Sequence, residues 1–195
     1  MSPSIEPRIA PLSDPLPDAV ASRLARLLPP GMAAPQLFLT VARNEGLFVR
    51  MVDSGFIGPT GLWDRRVLAP RLLETLILRT CVAARNDYEF NLHVQTISQR
   101  MGLSPAQIAD IRGDTPAPAL WQPAEIAAMR LADALVARLA LDDAEYALLR
   151  RYFDEPTLIE MTQLVGFYTG VAMLVGLARP DFDHYRPGPV ERASA

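Results

Sequence analysis

Apolar residues recur at helical spacing along most of the chain, and no stretch shows the strict apolar/polar alternation of a half-buried strand. The clearest case follows Pro70, a residue suited to a first helical turn because it has no amide hydrogen to leave unpartnered there; Leu73, Ile77, Cys81 and Ala84 line one face behind it. Asn86 and Asp87 can accept hydrogen bonds from the free amides of a second helix, predicted to run to Met101 and to stop at Gly102. Upstream, Asp18 is placed to cap a short helix through Leu28, ended by Pro29-Pro30-Gly31, and one helix is predicted from Gln36 to about Val52. Downstream, Ser104-Pro105 opens a short helix through Ile111, and Gly113 to Pro118 reads as a linker. Pro123 opens a helix with a broad apolar face, and Asp142 with Glu145 fits a capping box. A last helix is predicted from Thr157 or Leu158 to about Ala178. This pattern predicts an all-α, single-domain bundle of seven or eight helices over 18–178, with an extended arm over 1–17 and an irregular tail over 179–195.

Two stretches invite other readings. The run Gly55 to Gly61 lacks the GxGxxG order and has no strand before it, so it reads as a connector, with a lid over the site as the alternative. The longest apolar run, Leu164 to Ala178, falls short of the ~20 residues that cross a bilayer and is expected to be a buried helix. Gly166 and Gly170, four apart, would admit another helix closely.

Chemistry concentrates on the Pro70 to Gly102 pair. Glu89 and His93 are four apart and share a helix face with Thr96 and Arg100, beside an apolar stripe of Phe90, Val94, Ile97 and Met101. His93 is thereby placed at the edge of a core, where an imidazole can serve acid/base work; the plainer alternative is a surface histidine satisfied by Glu89. If the two helices were straight and antiparallel about Asn86, Glu74 would lie roughly 7 Å beyond His93, a gap for a water or a crossed packing to close. Cys81 is either core or a thiol lining the same cleft. Only one histidine is well placed, so no metal is expected, and His184 in the tail is assigned no role.

Composition narrows the options. Of 195 residues half are hydrophobic, the net charge is -3, and basic residues form no block, so neither nucleic acid nor a membrane is an expected partner. All 19 basic residues are arginine; the absence of lysine excludes Schiff-base catalysis, a lysine-bound pyridoxal phosphate and a P-loop. The single cysteine cannot form an internal disulfide, and the proline-rich N-terminal stretch resembles no secretory or transit signal, so a cytoplasmic setting is expected.

Glu74, an eleven-residue gap, Asn86, Tyr88-Glu89-Phe90, His93, then Gly102-Leu103-Ser104 and Ile108 together resemble the carboxymuconolactone decarboxylase family, which includes alkylhydroperoxidase D. The resemblance covers about residues 62–113 well and the stretch from Trp121 to Leu177 more loosely, through Ile159-Glu160 and Tyr168-Thr169. The peroxidase branch carries Cys-x-x-Cys-x-x-x-His; with that histidine laid on His93, Asn86 and Glu89 stand where its cysteines would be, so the likeness is to the decarboxylase-like branch. What the resemblance implies is an alkylhydroperoxidase D-like helical fold and a homo-oligomer (dimer, trimer or hexamer). It further implies general acid/base chemistry by Glu74, Glu89 and His93 on a small carboxylated or lactone substrate, without a cofactor. Arg79, Arg85, Tyr88 and Arg100 are then candidates for substrate binding. Two other readings stay open: a hydroperoxide-related oxidoreductase using Cys81, and a catalytically silent helical oligomer that binds a ligand or protein.

Overall fold

The computed structural model describes residues 6–58, 61 and 67–186. These form nine helices and no strand: α1 (Asp18–Leu27), α2 (Gln36–Val41), α3 (Glu45–Asp53), α4 (Pro70–Ala83), α5 (Asp87–Thr96), α6 (Pro105–Asp110), α7 (Pro123–Arg138), α8 (Asp143–Leu149) and α9 (Glu155–Ala178). The expected all-α class is what is observed. The contacts divide the chain into two compact units, one comprising the residues up to Val67 with Val175–Asp183, the other Leu68–Leu174 with the residues from His184. Most of the Gly55 to Gly61 loop is described, but Pro59 and Thr60 lie outside the described residues, as do the first five residues of the arm, residues 62–66 and the tail from 187.

In the first unit, Val20, Leu24, Ala42, Phe48 and Val52 form the buried core, with Leu12, Leu16 and Phe38 packed against it. The single helix expected from Gln36 to Val52 is broken. Asn44 caps α3 by accepting the Leu47 N–H, a role asparagine fills better than a helix interior, and Gly46 weakens helical continuity beside it. Asp18 is the first residue of α1 rather than its cap, and the cap position belongs to Pro17. The arm is anchored where the Arg8 and Ile9 amides both donate to the Ala178 carbonyl.

The second unit is organised on α4, whose residues Glu74 to Cys81 are all buried. It packs most extensively on α7, which contributes Met129 and Leu131, both essentially inaccessible. A helix buried all round is unusual unless its polar groups find partners, and here Thr75 and Thr80 donate to carbonyls one turn back. Capping boxes start α6 at Ser104–Gln107 and α8 at Asp142–Glu145, the latter as the sequence implies.

Two expectations need correcting here. α5 stops at Thr96, not Met101: the Ile97 and Ser98 amides both donate to the His93 carbonyl, and the chain then turns through Gly102 at φ +96°. α9 starts at Glu155 and is not a buried helix. Leu158, Met161, Leu164, Val165 and Tyr168 face the core, whereas Ile159, Met173 and Leu177 are 65%, 71% and 57% exposed. With 24 residues and a mean hydropathy of 1.5 over its most apolar stretch, α9 is long and apolar enough to cross a bilayer by length and composition alone.

Candidate active site

Glu74 enters the core from the second turn of α4 and is fully inaccessible, so its charge must be compensated locally. Two groups do this. His93 presents Nδ1 at 3.1 Å from both carboxylate oxygens, and Ser98 donates its hydroxyl to Oε1 at 2.6 Å. The ~7 Å offset of a straight antiparallel hairpin is therefore absent. Because α5 ends early, the following turn folds Ser98 back onto Glu74, and the helix packing brings His93 into direct contact. On the other side of the imidazole, Nε2 lies 3.4 Å from Glu89 Oε1 and 3.4 Å from the Tyr168 hydroxyl of α9, with the two rings edge-on at 82°.

Burial works to lower the His93 pKa, but the Glu74 charge and the hydrogen bonds from Glu74 and Glu89 outweigh it and raise the value to about 10. Burial works to raise that of Glu74, yet the His93 charge and the bonds from His93 and Ser98 leave it below the ordinary carboxylate value. At neutral pH the pair is therefore an imidazolium clamped against a carboxylate. Nδ1 is held by two close contacts, whereas the Nε2 hydrogen faces two partners at the outer limit of hydrogen bonding, so Nε2 is the nitrogen from which a proton can leave. All three side chains are buried, with exposures of 1% at Glu74, 8% at His93 and 10% at Glu89.

Glu74, Glu89 and His93, the trio singled out from the sequence, thus meet in space. The remaining candidates are placed differently. Cys81 is 1% exposed; burial, then the charges of Glu89 and Glu74, push its thiol well up, and Arg112 only partly opposes them. Arg79 forms a two-armed pair with Asp133 of α7 and donates to the Ile111 and Gly113 carbonyls, so its guanidinium ties α4 to neighbouring elements rather than facing the cluster. Arg85 is exposed just past α4 at φ +54°, and Arg100 is exposed in the turn after α5. Tyr88 is buried on α5. Ser98, Tyr168 and the side chain of Asn86 belong to the cluster's surroundings, and the sequence does not mark them as site residues. Ser98 lies where helical spacing continues, so nothing marks it, while Tyr168 is recognisable only through its family-like pairing with Thr169.

Among the described residues no group of three or more His, Cys, Asp or Glu is arranged to hold a metal ion. Two clefts of about 260 and 510 Å³ are lined by α7, α8 and their flanks, and neither includes Glu74, Glu89 or His93.

No curated protein matches the chain. Among solved structures, it is similar to a Cys-to-Ala variant of the debrominase Bmp8 in complex with 2,3,4-tribromopyrrole, at 18% identity and TM-score 0.64 over 93% of this chain and 94% of that one. It is similar also to the apo form of Bmp8, at 17% identity and TM-score 0.67 over 92% and 94% of the two chains. At such identity these matches establish a shared fold. Residues 60–134, which carry Glu74, Glu89 and His93, match the model of the carboxymuconolactone decarboxylase family.

Proposed function

We propose that the chain is a general acid/base enzyme of the decarboxylase-like branch, delivering a proton to carbon on a small carboxylated or lactone substrate. The observation that carries this reading is the asymmetry of His93: Nδ1 is fixed by Glu74, and Nε2 has only the two longer contacts to Glu89 and Tyr168. In the proposed reaction the bond to the departing carboxylate breaks, carbon dioxide leaves, and the electron pair delocalises into the unsaturated ring. The Nε2 proton then forms the new C–H bond. Glu74 keeps the tautomer and orientation fixed throughout, and the imidazole, flanked by two carboxylates, regains a proton from water. The thiol reading has less support, because a nucleophilic or redox cysteine works as its thiolate, and burial beside two carboxylates opposes that form at Cys81.

The reading extends to a cytoplasmic setting and to assembly as a homo-oligomer; the oligomer is supported by the bare apolar face of α9, on which a Cβ at Gly166 or Gly170 would meet nothing within 4 Å.

The test is a panel of small lactones and carboxylic acids incubated in heavy water, with carbon dioxide release and deuterium at product carbon as readouts. His93→Ala and Glu74→Gln are each expected to lower turnover by about 100-fold or more while Cys81→Ser leaves it nearly intact. Near wild-type turnover by folded His93→Ala defeats the proposal. Peroxide consumption that disappears in Cys81→Ser would put the thiol reading in its place.

A further inference from the structure

The first turn of α5 and its cap hold two buried polar atoms that no protein group satisfies, Asn86 Nδ2 and Glu89 Oε2, in residues only 2% and 7% exposed. Most buried polar atoms are hydrogen-bonded, so a donor and an acceptor left over beside one proton-transfer cluster point to something outside the protein. Their orientation is determined by what the other half of each side chain does. Asn86 Oδ1 accepts the Glu89 N–H at 3.2 Å, a bond the amide nitrogen could not accept, so Nδ2 must be the atom turned away from the backbone. Glu89 uses Oε1 toward His93 Nε2, which leaves Oε2.

Asn86 and Glu89 also have the spacing of a capping box, in which the glutamate would reach back to the cap residue's own amide. That amide donates instead to the Cys81 carbonyl at 2.7 Å. Glu89 is thereby released from capping, while cap and third-residue side chains still lie together over the start of the helix.

We infer that Asn86 Nδ2 and Glu89 Oε2 form a substrate-recognition pair for a neutral group that presents a lone pair and a proton side by side, such as the edge of a lactam, an enol next to a carbonyl, or a protonated carboxyl. The local charge favours neutrality. Glu74 and Glu89 face one His93, and a carboxylate seated on this pair, as distinct from the one that departs in the reaction, would meet Glu89 Oε2 directly. Of the nearby guanidiniums, Arg79 is held by Asp133, and Arg112 is paired through Nη1 with Asp87 at 3.1 Å and stacked 3.7 Å over Phe90, its buried Nη2 being a third atom with no protein hydrogen bond. A plain lactone satisfies Asn86 alone and leaves the Glu89 oxygen unpaired, whereas a lactam satisfies both. Asn86 is then a specificity-determining residue beside Glu89, the carboxylate that faces Nε2.

This inference rests on the acid/base reading of the same site, but its test measures binding, without turnover. The chain has two histidines, so side-chain nitrogen NMR of the whole protein reports His93 against His184 as an internal control. Titration with 2-pyrrolidone, γ-butyrolactone and acetate is expected to shift the His93 signals at lowest concentration with the lactam, with the lactone weaker by about tenfold and acetate without effect. Asn86→Asp keeps a good helix cap but removes the donor, and should weaken the lactam by at least about tenfold in protein whose circular dichroism remains native. Glu89→Gln offers a donor in place of the acceptor and should shift preference toward the lactone. Equal response to lactam and lactone, no response to either, or lactam binding unchanged in Asn86→Asp would each overturn the inference and assign the two atoms to a structural water. Loss of lactam preference with His93-dependent turnover intact would refute the subsite alone. Lactam preference without His93-dependent turnover would refute the acid/base reading alone.

Discussion

Ser98 and Glu74, 24 positions apart in sequence, are joined by a 2.6 Å hydrogen bond in which a fully buried hydroxyl donates to a fully buried carboxylate. The serine stands two residues past the end of α5, so this contact exists only because the helix stops. Hydrogen bonds to charged groups contribute about 1.5–3 kcal/mol, and Ser98→Ala is expected to lower unfolding free energy by an amount in that range, read by urea denaturation. The Glu74 carboxyl should also titrate closer to its ordinary value in that variant.

Stability should depend on pH in a window set by the same pair. The Glu74 pKa is lowered from 4.5 in the fold, so its contribution is present above that value and is lost as pH falls through the folded-state value. The His93 pKa is raised from 6.5 to about 10, so its contribution is complete below 6.5 and is lost as pH rises through about 10. The gap in melting temperature between wild type and Glu74→Gln is therefore expected to be widest between pH 4.5 and 6.5, to narrow on both sides, and to be smallest above pH 10. A gap independent of pH from 4 to 10 would contradict the paired, charged state.

Arg79 should behave as a structural residue. It is buried, with its guanidinium shared among Asp133 and two backbone carbonyls, and truncating one member of such a pair strands the others. Because the Asp133 side chain is 37% exposed, Arg79→Ala is expected to cost about 1–3 kcal/mol of stability, most of it from the two carbonyls left without their donor. In a calorimeter this appears as a large fall in melting temperature, with any remaining folded enzyme keeping its substrate affinity.

The exposed side of α9 gives an expectation about assembly. Light scattering of the wild type at micromolar concentration is expected to show a whole multiple of the chain mass. Met173→Glu, which places a charge at a residue 71% exposed in the single chain, should reduce that multiple while leaving the helical circular dichroism signal unchanged. A wild-type monomer would contradict the proposed oligomer.

The sequence by itself determined the helical class and most helix starts, and it marks Glu74, Glu89 and His93 as candidates. Apolar periodicity, prolines at first turns and capping residues are local signals, and Glu89 and His93 are neighbours on a single helix. Only the tertiary structure decided how Glu74 reaches His93. The end of α5 at Thr96, the break before Asn44 and the bare face of α9 depend on competition between a helix's own hydrogen bonds and partners distant in sequence. The same holds for the states of the groups. A buried carboxylate and an imidazole fix each other's protonation only when the fold excludes water and brings them to 3.1 Å, and neither burial nor that distance is written in the spacing of residues along the chain.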